Sequence, residues 1–545
     1  MVEQEFQQKT QALIDSLKTI CANYGLGNDG NEFKIITQVF LYKFLNDKFA
    51  FEAKKINASL GKAAKWEDAF TTMVEEAQTM LQMQMPADTA RLKPEHFINT
   101  LFNQQNTADF AKTFDDTLID IAITNNDVFA VKTDGGAKVV LFDRISQYIA
   151  DDGKRDAFCR AIINKLVEFS FERIFTQKFD FYATIFEYLI KDYNSNSGGK
   201  YAEYYTPHAV ARIMAAILVP MEQQGQIKNV SCYDPSAGSG TLLMNVAHAI
   251  GENRCSIYTQ DISQKSANLL RLNLILNNLV HSIPNVIQGD TMLHPYHKDD
   301  GNKLKHFDYI VSNPPFKLDF SDIREQLDSL ENKSRFFAGI PKVPPKKKEK
   351  MAIYQLFLQH IITSLKSDGK AAIVVPTGFI TAQTGIDKKI RQKLVSSKML
   401  AGVVSMPSNI FATTGTNVSI LFIDASNKDG VVLIDASNLG QKLKDGKNQK
   451  TVLTSDEEQR IIDVFNQKQV QEDFSVVVSY DQIQLKNYSL SAGQYFDVKI
   501  EYIDISPDQF SDRIKEFTYN LDSLFSQSLD LESEIKKQLA RLKYE

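Results

Sequence analysis

The 545-residue chain has only four cysteines, Cys21, Cys159, Cys232 and Cys255, and no two of them stand in a C-x-x-C pair. That excludes a disulfide scaffold and the common thiolate metal sites, and the four read as reduced core residues of a cytoplasmic chain. No apolar run approaches the roughly 18 residues a membrane helix needs. The opening MVEQEFQQKTQALIDSLKTI has no apolar signal-peptide core either, so neither export nor a membrane partner is expected. Positive charge is also short: 62 Lys and Arg face 67 Asp and Glu, a net charge of −5. Overall charge therefore does not draw this protein onto nucleic acid, and any such contact is local or shared with a more basic partner. No internal repeat or low-complexity tract interrupts the chain.

What is present is ample apolar material, 43% of residues, for two or three domains. From about Glu5 to Ile190 apolar residues mostly recur at helical spacing, as Phe33, Ile36, Phe40 and Phe44 do, which predicts an all-helical N-terminal domain over 1–165. NSNSGGKYAE, residues 194–203, is a polar, glycine-containing break. After it, β-rich runs at 229–234, 256–261, 285–290, 307–312, 370–376, 400–407 and 418–424 alternate with helical stretches. This alternation predicts an α/β domain over 166–480, with a mainly parallel sheet covered on both faces. LDSLFSQSLDLESEIKKQLARLKYE, with leucine or isoleucine at 521, 524, 531, 535, 539 and 542, predicts an amphipathic, coiled-coil-like helix in a C-terminal tail over 481–545. It would pack on its own domain or on a partner. The 317–350 insert is too long for an ordinary loop and ends in five lysines and three prolines within ten residues. It reads as a solvated flap or as a mobile lid that touches a phosphate backbone.

The first four runs of the sheet end in Asp234, Asp261, Asp290 and, one residue beyond Ser312, Asn313. Ligands of open α/β sheets bind at the carboxyl ends of strands, so these polar residues are placed for chemistry. Asp234 leads into PSAGSGTLL, a glycine turn opening a helix, where Ala237, Gly238, Ser239 and Gly240 bring backbone close to a ligand. Leu243 stands where a dinucleotide fingerprint needs its third glycine. Asp261, about twenty residues on, has the usual position of a carboxylate that grips ribose hydroxyls, and Asp290 can accept from an adenine amino group. The plain reading of either aspartate is a helix cap.

FDYIVSNPPF then stops a buried strand on Asn313, Pro314, Pro315 and Phe316, with the aromatic read as exposed. An amino group on an aromatic ring is a poor nucleophile because its lone pair is delocalised. Accepting hydrogen bonds from both of its N–H groups pulls the nitrogen towards sp³. The Asn313 side-chain oxygen and the Pro314 carbonyl supply two acceptors, and the prolines stiffen the turn so that little ordering is needed on binding. Phe316 offers a face on which a flipped-out base stacks, worth about 1–3 kcal/mol.

In this order the glycine turn, acidic strand ends and Asn-Pro-Pro-Phe resemble S-adenosylmethionine-dependent methyltransferases acting on N6 of adenine in DNA. The chain's FLYKFLNDKF, YYTP, DPSAGSG, NPPF, SNIFATTGTNVSILFI and NYSLSAGQYFDV are together similar to the modification subunit of type I restriction-modification systems. The resemblance implies a Rossmann-like methyltransferase domain and S-adenosylmethionine as cofactor. Glu203, Tyr204, Tyr205, Thr206 and Pro207 would close over its methionine end. It further implies double-stranded DNA as substrate, a specificity subunit, a restriction subunit in the full complex, and a second copy of this chain joined through the specificity subunit. No metal is required, because the leaving group is neutral at sulfur. The rivals are methylation of another planar nitrogen (cytosine N4, RNA or protein glutamine), a nicotinamide-dependent enzyme, and a non-catalytic DNA-binding scaffold. The family commonly has Glu at the ribose position, here Asp261 preceded by Gln260, and Phe411 reads either as a second stacking aromatic or as core.

Overall fold

Val, Ile, Tyr and Phe concentrate in the runs singled out above, and each of the seven runs contains a strand in the computed structural model, which describes residues 2–27, 30–175, 206–411, 417–445, 448–496 and 506–541. In chain order the described strands are β1 (Val131–Thr133), β2 (Lys138–Val139), β3 (Val230–Asp234), β4 (Cys255–Asp261), β5 (Val286–Gln288), β6 (Phe307–Ser312) and β7 (Leu365–Pro376). They continue with β8 (Leu400–Ser405), β9 (Val418–Asp424), β10 (Val431–Asp435), β11 (Gln441–Asp445), β12 (Asn448–Val452) and β13 (Ser475–Val478). Eleven of them form one sheet in the order β13-β10-β8-β9-β7-β6-β3-β4-β5-β1-β2, and β11 and β12 pair apart as a hairpin.

The sheet is mainly parallel, as expected. β5, β4, β3, β6 and β7 pair in parallel, with Cys232 opposite Ile257 on one side and Tyr309 on the other. β9 is antiparallel to both β7 and β8, so β8 runs with β7, and β10 is parallel to β8. The carboxyl ends of β3, β4, β5, β6, β7, β8 and β10 therefore share one edge of the sheet. The helices Thr241–Ile250, Gln264–Leu276 and Tyr354–Thr363 bury apolar faces such as Leu243, Val246, Leu270 and Leu358.

Residues Met1–Tyr495 form one compact unit. Among the described residues its N-terminal region has helices and one pair of strands: β1 and β2 form a hairpin through Asp134-Gly135-Gly136-Ala137, and β1 pairs in parallel with β5. The Gly-Gly between two short β-prone runs is a hairpin signal. Helical periodicity on either side concealed it, and the strand serves to extend the sheet.

The 317–350 insert carries a small core of its own over 320–336, while its lysine-rich end over 342–350 is largely exposed. Phe320, Leu327 and Phe336 are buried with Met292, Met351 and Leu356 in a small core of their own. Arg335, also buried, donates from Nη1 to the Met292 carbonyl and from Nη2 to the Thr291 carbonyl, both at 2.6 Å. Its spaced apolar residues escaped notice beside the terminal lysines.

Residues Phe496–Glu545 form the second unit. The helix Pro507–Arg541 starts on a proline, well before the 521–545 stretch that announced it. Phe510, Ile514, Phe517, Leu521, Leu524, Leu531 and Ile535 repeat along it at spacings of three, four or seven, all exposed.

Candidate active site

The shared carboxyl edge gathers the polar residues read from the strand ends. β3 delivers Asp234, whose Oδ1 accepts from the Ser236 N–H at 2.9 Å, and the Ser236 and Ser312 hydroxyls bond each other at 2.7 Å across to β6. Asp234 is 1% exposed, and burial pushes its carboxyl up to about 7. Ala237 and Ser239 are buried in the turn that follows. Gly238 and Gly240 adopt φ of 53° and 84°, the left-handed region in which a side chain is strained.

Asp261, on β4, grips this turn: its Oδ2 accepts from the Gly238 N–H at 2.9 Å, and its Oδ1 from the Ser263 N–H at 2.8 Å. Burial raises its pKa despite these bonds. One turn N–H expected to face a ligand is thus taken by a carboxylate, which leaves the turn less suited to a phosphate. Gln260 is fully buried, its amide donating to the His294 carbonyl at 2.8 Å and accepting from the Tyr296 N–H at 3.0 Å, so its polar ends are spoken for inside the fold. Asp290 lies two residues past the end of β5, and its Oδ1 accepts from the Met292 and Leu293 N–H groups at 2.8 and 3.1 Å. Neither aspartate is a helix cap: the helix after β4 is capped by Ser263, and both carboxylates close local turns and retain further lone pairs.

Asn313 follows β6 and is half-buried, beside a buried Pro314 and an exposed Pro315. Its Nδ2 donates to the Thr206 hydroxyl at 3.2 Å. With Nδ2 held there, the amide presents Oδ1 away from Thr206, which is the acceptor the chemistry calls for. Phe316, read as exposed, is half-buried: it packs edge-on against Tyr354, centroids 6.2 Å apart at 75°, and Tyr354 meets Phe379 in the same way. The Tyr354 hydroxyl is anchored on both oxygens of Asp387 at 2.9 and 2.8 Å, so the platform beneath Phe316 is braced. Pro207 is buried just ahead of the helix His208–Leu218, while Glu203, Tyr204 and Tyr205 lie outside the described residues. Phe411 is half-buried against the main core.

Several residues at this edge carry no signal in the sequence. Asn273 donates to the Ser239 carbonyl at 2.6 Å and holds the glycine turn from the next helix. Thr291 donates to the Pro235 carbonyl at 2.7 Å, and its own carbonyl receives Arg335, so the insert, the Asp290 loop and the glycine turn are linked. Arg335 also donates from Nε to Nδ1 of His360, whose Nε2 lies 3.1 Å from the Tyr233 hydroxyl. Burial holds His360 well below the usual imidazole range, so it is neutral. Glu95, His96 and Asp120 come together elsewhere in the fold, where His96 bonds Asp120 at 2.7 Å and Asp120 takes Lys93 at 2.6 Å.

Residues 177–502 match the family described as N-6 DNA methylase. The chain is 29% identical over 373 residues to the type I restriction enzyme MpnII methylase subunit of Mycoplasma pneumoniae, covering 67% of this chain and 64% of that protein. It is 27% identical over 399 residues to the MjaIX methylase subunit of Methanocaldococcus jannaschii, covering 70% and 66%. The chain thus spans just under two thirds of the length of these two relatives. Among solved structures, the methyltransferase subunit of a type I restriction-modification system from Streptococcus thermophilus superposes with a TM-score of 0.68 over 91% of this chain and 100% of that one, at 20% identity. At that identity the likeness concerns the fold.

Proposed function

This chain belongs to the N-6 DNA methylase family, and we propose that it transfers a methyl group from S-adenosylmethionine to N6 of adenine in double-stranded DNA, as the modification subunit of a type I restriction-modification complex. In that complex it works with a specificity subunit that reads the sequence, a second copy of itself joined through that subunit, and a restriction subunit in the full assembly. The relatives named as type I methylase subunits support this reading.

The observation that carries it is the Asn313 amide, anchored by its nitrogen on Thr206 so that its oxygen is free to accept. The residues present suit the cofactor: carboxylates at successive strand ends match hydroxyl and amino donors, and the glycine turn is held by Asp261 rather than open to a phosphate. Asp261 would receive the ribose hydroxyls and Asp290 the adenine amino group, with residues 234–240 beneath and 203–207 closing the methionine end. When bound, S-adenosylmethionine supplies a methyl on a cationic sulfur. Asn313 Oδ1 and the Pro314 carbonyl accept from the two N–H bonds of the target amine, localising its lone pair. Phe316 stacks the extruded base, and the fixed turn pays little ordering cost.

The test is Asn313→Ala beside Thr206→Val, with tritium followed from cofactor to DNA and the methylated nucleoside identified by mass. Asn313→Ala is expected to bind cofactor normally and to lose nearly all transfer. Thr206→Val, whose amide is free to turn, lowers kcat by about 10- to 100-fold, the range of a misplaced catalytic group. Near-normal turnover in Asn313→Ala, or label recovered in RNA, protein or cytosine, overturns the reading.

A further inference from the structure

β10 runs in the direction of β6, so the chain leaves it at the edge where Asn313 lies. It then forms the β11–β12 hairpin, outside the main sheet. The root is fixed: Thr451, buried, donates from its N–H to the Asn409 carbonyl at 3.0 Å and from its hydroxyl to the Ser408 carbonyl at 2.6 Å, both in the loop after β8. Gly440 N–H donates to Glu457 at 2.8 Å. Beyond the root the ribbon is exposed at Gln441, Lys442, Leu443, Lys444, Gln449 and Val452.

The charge of this ribbon runs against that of the protein. Residues 441–452 hold four lysines and one aspartate in a chain of net charge −5. Lys442 and Lys444 share a face, as the register Lys442↔Thr451 and Lys444↔Gln449 requires, and Lys450 lies opposite Leu443 on the other. Among the described residues none of these three ammonium groups has a carboxylate partner. On the second face Leu443 and Val452 are 51% and 39% exposed. A second basic stretch begins from the same edge: Lys342, Lys346, Lys347, Lys348 and Lys350 are exposed, and the Met351 carbonyl accepts from the Leu318 N–H at 3.1 Å, just past Phe316.

We infer that the ribbon of β11 and β12 is a DNA clamp, with Lys442, Lys444 and Lys450 seated on duplex phosphates beside the extruded base. The inference rests on the proposed function. A base taken out of the stack stays tied to its strand, so the duplex must lie along the edge that holds Asn313. Whatever projects from that edge then meets phosphates. A two-stranded ribbon also has the width of a DNA groove, and its exposed Leu443 suits such a wall better than it suits water.

The test uses the full chain in the assembly with which it is isolated, and a short fluorescent DNA duplex titrated between about 50 and 200 mM salt. K442Q/K444Q/K450Q is expected to lower the slope of log affinity against log salt by about 3, one for each lost phosphate contact, with cofactor binding and melting temperature unchanged. Leu443→Gln, which alters no charge, leaves the slope as it is. An unchanged slope in the triple variant overturns the proposal, as does a normal slope with loss of a protein partner. Because the readout is binding, a failure of this clamp is distinct from a failure of methyl transfer, which Asn313→Ala reads.

Discussion

Asp234 shows how one buried side chain links the site to stability. Its folded-state carboxyl titrates near 7 rather than 3.8, because burial disfavours the charge. Below the lower value both states are protonated. Between the two, the folded state holds a proton that the unfolded chain releases, so stability falls as pH rises, by about 1.4 kcal/mol per unit. Above the upper value the loss is complete, on the order of 4 kcal/mol. Asp234→Asn keeps an acceptor for Ser236 and removes the charge. Its melting temperature is therefore expected to exceed that of the parent above pH 7, and the gap is expected to close near pH 4; a gap that widens on acidification would contradict the assignment. The roles of Thr206 and Asn273 were not legible from sequence: Thr206 reaches Asn313 across 107 positions and Asn273 reaches Ser239 across 34. No local pattern reports such a contact.

Among elements, the strand–turn–helix at 230–250 depends on its glycines. Gly240 has φ of 84°, and a Cβ built on it would stand 2.3 Å from Cδ1 of the buried Leu270. Gly240→Ala is expected to destabilise the protein by about 1–3 kcal/mol, from left-handed strain and overpacking, as read by urea melts. This element was plain in the sequence because strand period, glycine turn and helix period succeed one another within twenty residues. β10 and β13 were missed for the opposite reason. Each is short and is completed by a partner far along the chain, Val431 pairing with Val478. In the insert the terminal lysines dominate the local pattern, and Phe320, Leu327 and Phe336 become core only when Met292 and Leu356 meet them.

At the scale of the whole molecule, the helix Pro507–Arg541 exposes its apolar stripe in the isolated chain. If this stripe docks the proposed specificity subunit, replacing Phe517 and Leu524 with glutamate is expected to abolish co-purification of that subunit and to leave the melting temperature of residues 1–495 unchanged. The sequence by itself determined the α/β alternation, the acidic strand ends and the Asn-Pro-Pro-Phe corner, because each is written in residues adjacent along one strand or turn. Only the tertiary structure decided that Thr206 turns the Asn313 amide, that Asp261 clamps the glycine turn, and that a lysine-bearing ribbon stands on the same edge. Those relations join residues tens to hundreds of positions apart, and burial and strand direction bring them together without leaving a periodic trace.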